Sequence, residues 1–397
     1  MIVVGRDSKE DALIKLERIE GNENIIEIES SVKNLFGKHI ENLIIENLKK
    51  LEIPPLKIEV KDNGALDFVL LARLEAGIKR FFPELKFKFL PEKNFEDRIQ
   101  MPKERPRRSR LYVPGNQPDL MINAYLFKPD GIILDLEDSV APSEKDAALI
   151  LVRNALLNLN FGESERMVRI NQLPKGLDDL PEILETDGVD CILVPKAEKS
   201  EEIGQLSNYI KEFLKKNGIL RKIWIMPIIE SALGVIKSYE IASSCVEVCA
   251  LAFGAEDFTK DIGAQRTKEG KESFVARSML VLGARAGSVI PIDTVYSDVE
   301  DMEGLYNSAK EAQSLGFEGK GCIHPRQIEV IHQAFKPTEE EFLWALKVKK
   351  AYDEAREKGL GVVALGTKMI DPPVVERALR VIKLASLYGM EEEDLCN

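Results

Sequence analysis

From about residue 110 onwards, short apolar, largely β-branched runs alternate with helix-length amphipathic stretches. The runs fall at 111–113, 132–136, 167–170, 191–194, 223–229, 248–253, 289–292 and 321–323. Each is nearly continuous in its apolar character, the pattern of a strand buried on both faces, and such strands separated by helices form a parallel sheet. Eight repeats over roughly 220 residues predict a closed (β/α)8 TIM barrel. An open doubly wound sheet is the alternative, because closure leaves no trace in periodicity. No glycine-rich phosphate loop follows any of the runs, which weakens a nucleotide-binding reading.

The pattern before residue 110 differs. Strand-like runs at 2–4, 12–16 and 25–28 precede a stretch, 31–51, in which Val32, Leu35, Phe36, Ile40, Leu43, Ile44 and Leu48 recur at helical spacing. Pro54-Pro55 stops that helix, 57–60 reads as a strand, 62–64 as a turn, and 65–81 as a strand passing into a helix. Residues 84–109 have prolines and mixed charge but no sustained period. The expected organisation is a small α+β domain at 1–83, a linker at 84–104, a barrel at 105–336 and a helical lid or oligomerisation segment at 337–397. That last segment carries two helices, at 339–358 and 373–388, around a glycine-rich stretch.

Composition narrows the function classes. A chain of 397 residues with 44% hydrophobic and 31% charged residues reads as a soluble globular protein. Its net charge of −12 argues against nucleic acid as a main partner. No apolar run is long enough to span a membrane, and the start, MIVVGRDSKED, is not a secretory signal. Five scattered cysteines without a Cys-x-x-Cys pair fit reduced thiols in a cytoplasmic protein. Three histidines make a multi-histidine metal centre improbable.

Barrel active sites lie at the C-terminal ends of the strands. The predicted ends carry Asn116, Glu137-Asp138, Arg169-Ile170-Asn171, Lys196, Glu230, Gly254-Ala255-Glu256-Asp257, Asp293 and His324, so ionisable groups crowd one rim. Glu230 and Asp257 end adjacent strands. They are either an oxygen-ligand pair for Mg2+, which keeps several waters, or helix caps and salt-bridge partners. Glu137 and Asp138 could hold metal-bound water or cap the following turn. Arg169 is either a carboxylate clamp or one half of an internal ion pair. Lys196 is a Schiff-base lysine or, with carboxylates nearby, an ion-paired one. His324 is a general base or a hydrogen-bonded structural residue. Arg105, Arg107, Arg108 and Arg110 form a basic run, ordinarily a solvated face. Position favours Arg108 as the one that enters the site.

At these residues the chain resembles a known family. RRSRLYVPGN, GIILDLEDSVAPSEKDAA, VRIN, LVPKAE, MPIIESALGV, LAFGAEDFTKDIG and GCIHPRQI resemble the β subunit of citrate lyase and the related malyl- and citramalyl-CoA lyases, in order across about 105–390. The resemblance implies a Mg2+-dependent barrel, generally a homotrimer, that breaks a carbon–carbon bond in a 3-hydroxyacyl thioester. It implies Glu230 and Asp257 as metal ligands and Arg169 as the substrate-carboxylate arginine. Arg108 becomes the arginine of the opening motif, placed to stabilise a thioester enolate. The backbone at Gly254-Ala255 would receive the 2-oxoacid carboxylate, and Asp371 would be a catalytic aspartate offered to a neighbouring subunit's site. The first domain resembles the acyl carrier (γ) subunit of citrate lyase, through SSVKNLFGKHIENLIIENL and DNGALDFVLLARLEAGIKR. That carrier bears phosphoribosyl-dephospho-CoA on a serine. Here the ungapped register puts Lys9 at that position, with Ser8 one residue early.

The implied substrate is a citryl thioester, on a carrier or on CoA, cleaved to oxaloacetate and an acetyl thioester. The alternative is malyl-CoA or citramalyl-CoA, giving glyoxylate or pyruvate. Either Ser8 carries the prosthetic group, or the first domain is an assembly module that docks the barrel to itself or to a citrate lyase α (transferase) subunit.

Overall fold

The computed structural model describes residues 1–93, 100–357, 363–365 and 368–391. Part of the expected linker (94–99), much of the glycine-rich stretch, Lys358 and Cys396 lie outside the described residues. Two compact units result, Met1–Ile331 and His332–Asn397.

The first unit opens with a four-stranded sheet, β1 (Ile2–Val4), β2 (Ala12–Arg18), β3 (Ile25–Ser30) and β4 (Leu56–Asp62), in the order β1-β2-β4-β3. β3 and β4 run parallel because the crossover helix α1 (Lys33–Leu48) joins them. Alternate residues of β2 and β4 (Ile14 and Leu16, Ile58 and Val60) turn into one core with Ile40 and Ile44 of α1. Leu35 and Phe36, expected on the buried face of α1, are 82% and 51% exposed instead. The second helix, α2 (Asp67–Phe81), corrects the expected strand at its start: the whole segment from Asp67 is helical. Every residue from Phe68 to Ile78 is buried, because α2 lies between its own sheet and the barrel helix Lys145–Asn158. A helix covered on both sides shows no polar face, so its leading apolar run mimics a strand.

The seam between this sheet and the barrel is built on buried charge pairs. Arg153 meets Glu75 through two bonds of 3.0 and 2.7 Å, with both side chains fully buried, and Asn154 donates to the carbonyls of Phe68 and Phe89. Arg73 grips Asp11 with two bonds of 2.9 Å. Arg73 and Arg6 both donate to the Asn116 carbonyl, in the loop after the first barrel strand. Ser8 belongs to this docked loop; its Oγ is buried without a hydrogen-bond partner, whereas the Lys9 side chain is 84% exposed.

Eight parallel strands follow: β5 (Ser109–Pro114), β6 (Gly131–Asp135), β7 (Glu165–Arg169), β8 (Cys191–Val194), β9 (Trp224–Ile229), β10 (Ala250–Phe253), β11 (Ile290–Ile292) and β12 (Lys320–Cys322). They match the eight runs read from the sequence. Neighbours pair in chain order, β12 returns to β5, and a single bridge from Asp293 to Lys320 joins β11 to β12. Beneath that bridge Asp293 pairs with Arg277 and with Lys320 at 2.7 Å. Apolar side chains fill the lumen, Ile133, Met167, Leu193, Met226, Ile228 and Ile292 among them. The described cysteines are all free thiols. No helix among the described residues is long and apolar enough to cross a membrane.

The second unit packs the helix Glu339–Glu357 against the helix Pro372–Ser386, around Ala345, Val348, Val375 and Ala378. A small antiparallel pair, β13 (Val363–Leu365) and β14 (Lys368–Ile370), lies in the stretch whose periodicity predicted no strand.

Candidate metal and substrate site

Strand register sets the site. Pro114, Asp135, Arg169 and Leu193 stand side by side across β5 to β8, and Ile229 stands beside Phe253. The next residues along β9 and β10 are therefore Glu230 and Gly254, at one height on the C-terminal rim. A cavity of about 330 Å3 opens there, lined by Arg110, Tyr112, Arg169, Glu230, Gly254, Ala255 and Asp257 among others. Glu230 and Asp257, the expected metal pair, share this cavity with Arg169.

Glu230 is only 6% exposed, and its Oε1 accepts the Lys196 backbone N–H at 2.6 Å. Lys196 holds φ at 52°, and that turn aims its amide at the carboxylate. Gly254 leaves room for the other oxygen: a Cβ there would stand 2.5 Å from Glu230 Oε2. No cation pairs with Glu230 among the described residues. Burial, reinforced by the Asp257 and Glu137 charges and offset partly by the Lys196 amide and the Arg169 charge, pushes its pKa up to about 7. Two neighbouring carboxylates, neither of them in an ion pair among the described residues, suit a hard divalent ion that completes its shell with water and substrate oxygens. Among the described residues no set of three or more His, Cys, Asp or Glu side chains converges on a point, so any ion here takes most of its ligands from elsewhere.

Arg169 donates through Nε and one terminal nitrogen to Asp135, at 2.6 and 2.7 Å. Its other terminal nitrogen lies 3.0 Å from Glu137, and its guanidinium sits over the Tyr112 ring at 5.2 Å. Burial alone would lower its pKa, but Asp135, with help from Tyr112 and Glu137, raises it. Both readings of Arg169 thus hold together: it is ion-paired, and N–H donors remain for a ligand carboxylate. Lys196 Nζ binds Glu137 at 2.6 Å; burial would lower its pKa, and Glu137 raises it, so the group stays cationic rather than nucleophilic.

Other expected residues lie elsewhere or are already engaged. Arg108 does not line the cavity. It precedes β5 and binds Asp130, just before β6, at 2.8 and 2.7 Å, at the opposite end of the barrel from the rim. The arginine of the basic run that reaches the cavity is Arg110, because Arg110, Tyr112 and Pro114 share the inward face of β5. The amide of Gly254 is committed to the Ile229 carbonyl, and that of Ala255 to Thr294 Oγ1 at 3.2 Å. His324 accepts the Arg326 amide through Nδ1, a local turn contact. In the second unit Asp371 caps the helix Pro372–Ser386, with its side chain accepting from Val374 N at 3.3 Å.

An adjoining cavity of about 320 Å3 holds four cations. Each is paired: Arg266 with Glu256, Lys268 with Asp298 and Asp301, Arg277 with Asp293 and Glu311, and Lys320 with Asp293.

Residues 108–325 match the HpcH/HpaI aldolase/citrate lyase family. Residues 1–81 match an acyl-carrier family described as malonate decarboxylase delta subunit (MdcD). The chain is 40% identical over 300 residues to citrate lyase subunit beta of Leuconostoc mesenteroides subsp. cremoris, covering 74% of this chain and 98% of that protein. It is 33% identical over 292 residues to mitochondrial citramalyl-CoA lyase of Rattus norvegicus, covering 71% and 86%. The structure of protein CitE from Mycobacterium tuberculosis, in complex with magnesium, acetoacetate and coenzyme A, superposes with a TM-score of 0.57 at 28% identity, covering 71% of this chain and 98% of that one.

Proposed function

Since the chain belongs to the HpcH/HpaI aldolase/citrate lyase family, and its relatives are lyases, we propose that it is a Mg2+-dependent carbon–carbon lyase acting on a 3-hydroxyacyl thioester, citryl thioester first. The observation that carries this reading is the buried Glu230, in no ion pair among the described residues, beside Asp257 in a cavity that also holds Arg169. Glu230 and Asp257 would hold the ion. Bound there, magnesium lowers the pKa of the substrate hydroxyl and stabilises the developing 2-oxoacid.

The remaining work falls to the chain's own residues. Arg169, locked by Asp135, orients the substrate carboxylate with its remaining N–H donors. Lys196, held by Glu137, keeps positive charge beside the reacting oxygens. Once the hydroxyl proton has passed to solvent, the alkoxide collapses to the 2-oxoacid carbonyl and the bond to the thioester α-carbon breaks, its electron pair leaving as the thioester enolate. Asp371, offered by a neighbouring copy, returns a proton to that carbon. Assembly into a homotrimer draws support from apolar side chains left about half exposed or more on neighbouring helices, Ile236, Tyr239, Phe274, Val275 and Leu282.

A panel of citryl-, malyl- and citramalyl-CoA with Mg2+, with the 2-oxoacid products identified, tests the reading. Oxaloacetate is expected from citryl-CoA, with turnover lost in excess EDTA and in Asp371→Ala. Full turnover in EDTA would remove the metal role, and wild-type turnover in Asp371→Ala would remove that residue's.

The thioester's carrier has two readings. In one, Ser8 bears phosphoribosyl-dephospho-CoA and the first domain is a working carrier. In the other, that domain is a fixed assembly module and the thioester arrives on CoA or on a separate carrier. The buried Ser8 Oγ and the anchoring of its loop to Asn116 favour the second. Intact mass decides: an unmodified chain is expected.

A further inference from the structure

Among the described residues, nine arginines of the first unit have side chains no more than 13% exposed, and eight are paired with carboxylates. Arg73 has Asp11, Arg107 has Glu165, Arg108 has Asp130, Arg153 has Glu75, Arg166 and Arg221 share Asp190, Arg169 has Asp135 and Arg277 has Asp293. The ninth, Arg110, is 1% exposed and has no carboxylate partner among the described residues. Its Nε is buried with no hydrogen-bond partner, and one terminal nitrogen has only the Met226 sulfur, 3.1 Å away. A thioether is a weak acceptor. Buried charges in proteins are ordinarily paired, because an unpaired one forfeits its hydration without return.

Arg110 nonetheless lines the cavity that holds Glu230, Asp257 and Arg169. It enters from the second residue of β5, well below the rim, and Tyr112 and Pro114 follow it on the same inward face. The four cations of the adjoining cavity all have carboxylates, so the missing partner is particular to Arg110 and not to this end of the barrel.

We propose that Arg110 is a specificity-determining residue that receives a second free carboxylate of the substrate, below the one held at Arg169. Citryl thioesters and oxaloacetate carry that extra carboxylate. Malyl and citramalyl thioesters, and glyoxylate and pyruvate, do not. The inference rests on the lyase reading above and deepens it from a family of thioesters to the member with two free carboxylates. A guanidinium without a protein partner rejects the smaller acids by a cost they cannot offset, since they leave it buried and unpaired.

The test uses the full-length chain with saturating Mg2+. Dissociation constants for oxaloacetate and pyruvate are measured for the wild type, Arg110→Met and Arg110→Gln, alongside kcat/KM for citryl-CoA and citramalyl-CoA. Wild type is expected to bind oxaloacetate more tightly than pyruvate. Arg110→Met is expected to weaken oxaloacetate binding by about 10- to 100-fold, the scale of a lost charged hydrogen-bond pair, and to shift pyruvate much less. The kcat/KM ratio should move toward citramalyl-CoA by a similar factor. Methionine replaces an unpaired buried charge with an apolar chain, so its melting temperature should hold or rise. Arg110→Gln, uncharged but still a donor, must show the same direction of change should Arg110→Met fail to fold.

Equal weakening of both acids, or none, overturns the proposal, as does a wild type indifferent between them. If the wild type binds neither acid and cleaves no thioester, the lyase reading itself falls. If it cleaves citramalyl-CoA but Arg110→Met and Arg110→Gln leave the ratio unchanged, only the role of Arg110 does.

Discussion

The seam beneath the N-terminal sheet and the lumen of the barrel both bury arginines and carboxylates, yet they treat them in opposite ways. In the seam each charge meets its opposite: Arg153 has Glu75 and Glu182, and Arg73 has Asp11 and the Asn116 carbonyl. In the lumen Arg169 has Asp135, but Glu230 has no ion-pair partner and Arg110 no carboxylate among the described residues, although both line one cavity. Both stay unpaired because strand geometry fixes them: Glu230 by the Lys196 amide, Arg110 by its place on the inward face of β5. Closed pairs hold a structure together. Charges held open by rigid elements mark where a ligand of opposite sign is to be bound.

Mutation can break this contrast at either end. The largest effect is expected from Glu230→Gln. Its kcat/KM should fall by roughly 10³-fold, because the several kcal/mol a Lewis acid supplies convert at about 1.36 kcal/mol per tenfold. Its melting temperature should hold or rise, since the change removes a buried charge crowded by Asp257 and Glu137. Steady-state kinetics with calorimetry checks both, and a variant that stays active but melts early would place Glu230 among the structural charges instead.

Glu75→Ala should do the reverse. Arg153 would keep Glu182 but lose its fully buried partner, and the Phe89 amide would lose its acceptor, at a cost of about 3 kcal/mol, read as an earlier urea transition, while kcat of the remaining folded enzyme stays within about threefold. Ser8→Ala is expected to be nearly silent. Its Oγ is buried without a partner, so removing it should leave stability unchanged or raise it by up to about 1 kcal/mol, with turnover at the wild-type level. A large loss of activity in Ser8→Ala would restore the carrier reading.

How much of this was legible in the sequence depends on the kind of signal. The eight barrel strands were, because burial on both faces leaves uninterrupted apolar runs. The rim residues Glu230, Asp257 and Arg169 followed from where those runs end. The onset of α2 was not, since a helix buried on all sides has no period to read. Arg110 was hidden in a charged run that resembles a solvated face. The available signal was phase: one residue into the strand, two before Tyr112, Arg110 must point inward, whereas Arg108 falls before the strand and meets Asp130. Partnership is the part no local pattern carries. Glu165, Asp190 and Asp293 are brought to their arginines only when strands and helices separate in sequence pack together.

The Glu75–Arg153 pair also sets a schedule. During synthesis Glu75 emerges with its near neighbours Lys79 and Phe89, whose ammonium and amide it accepts. Arg153 follows 78 residues after Glu75, an interval of about 4–16 s at ordinary elongation rates. Through that interval the outer side of α2 has nothing to pack on, and its apolar residues face water. A carrier built to swing would present a finished, polar surface there. This domain stays incomplete until the barrel's first helices arrive, so its folding is timed by the enzyme to which it is joined.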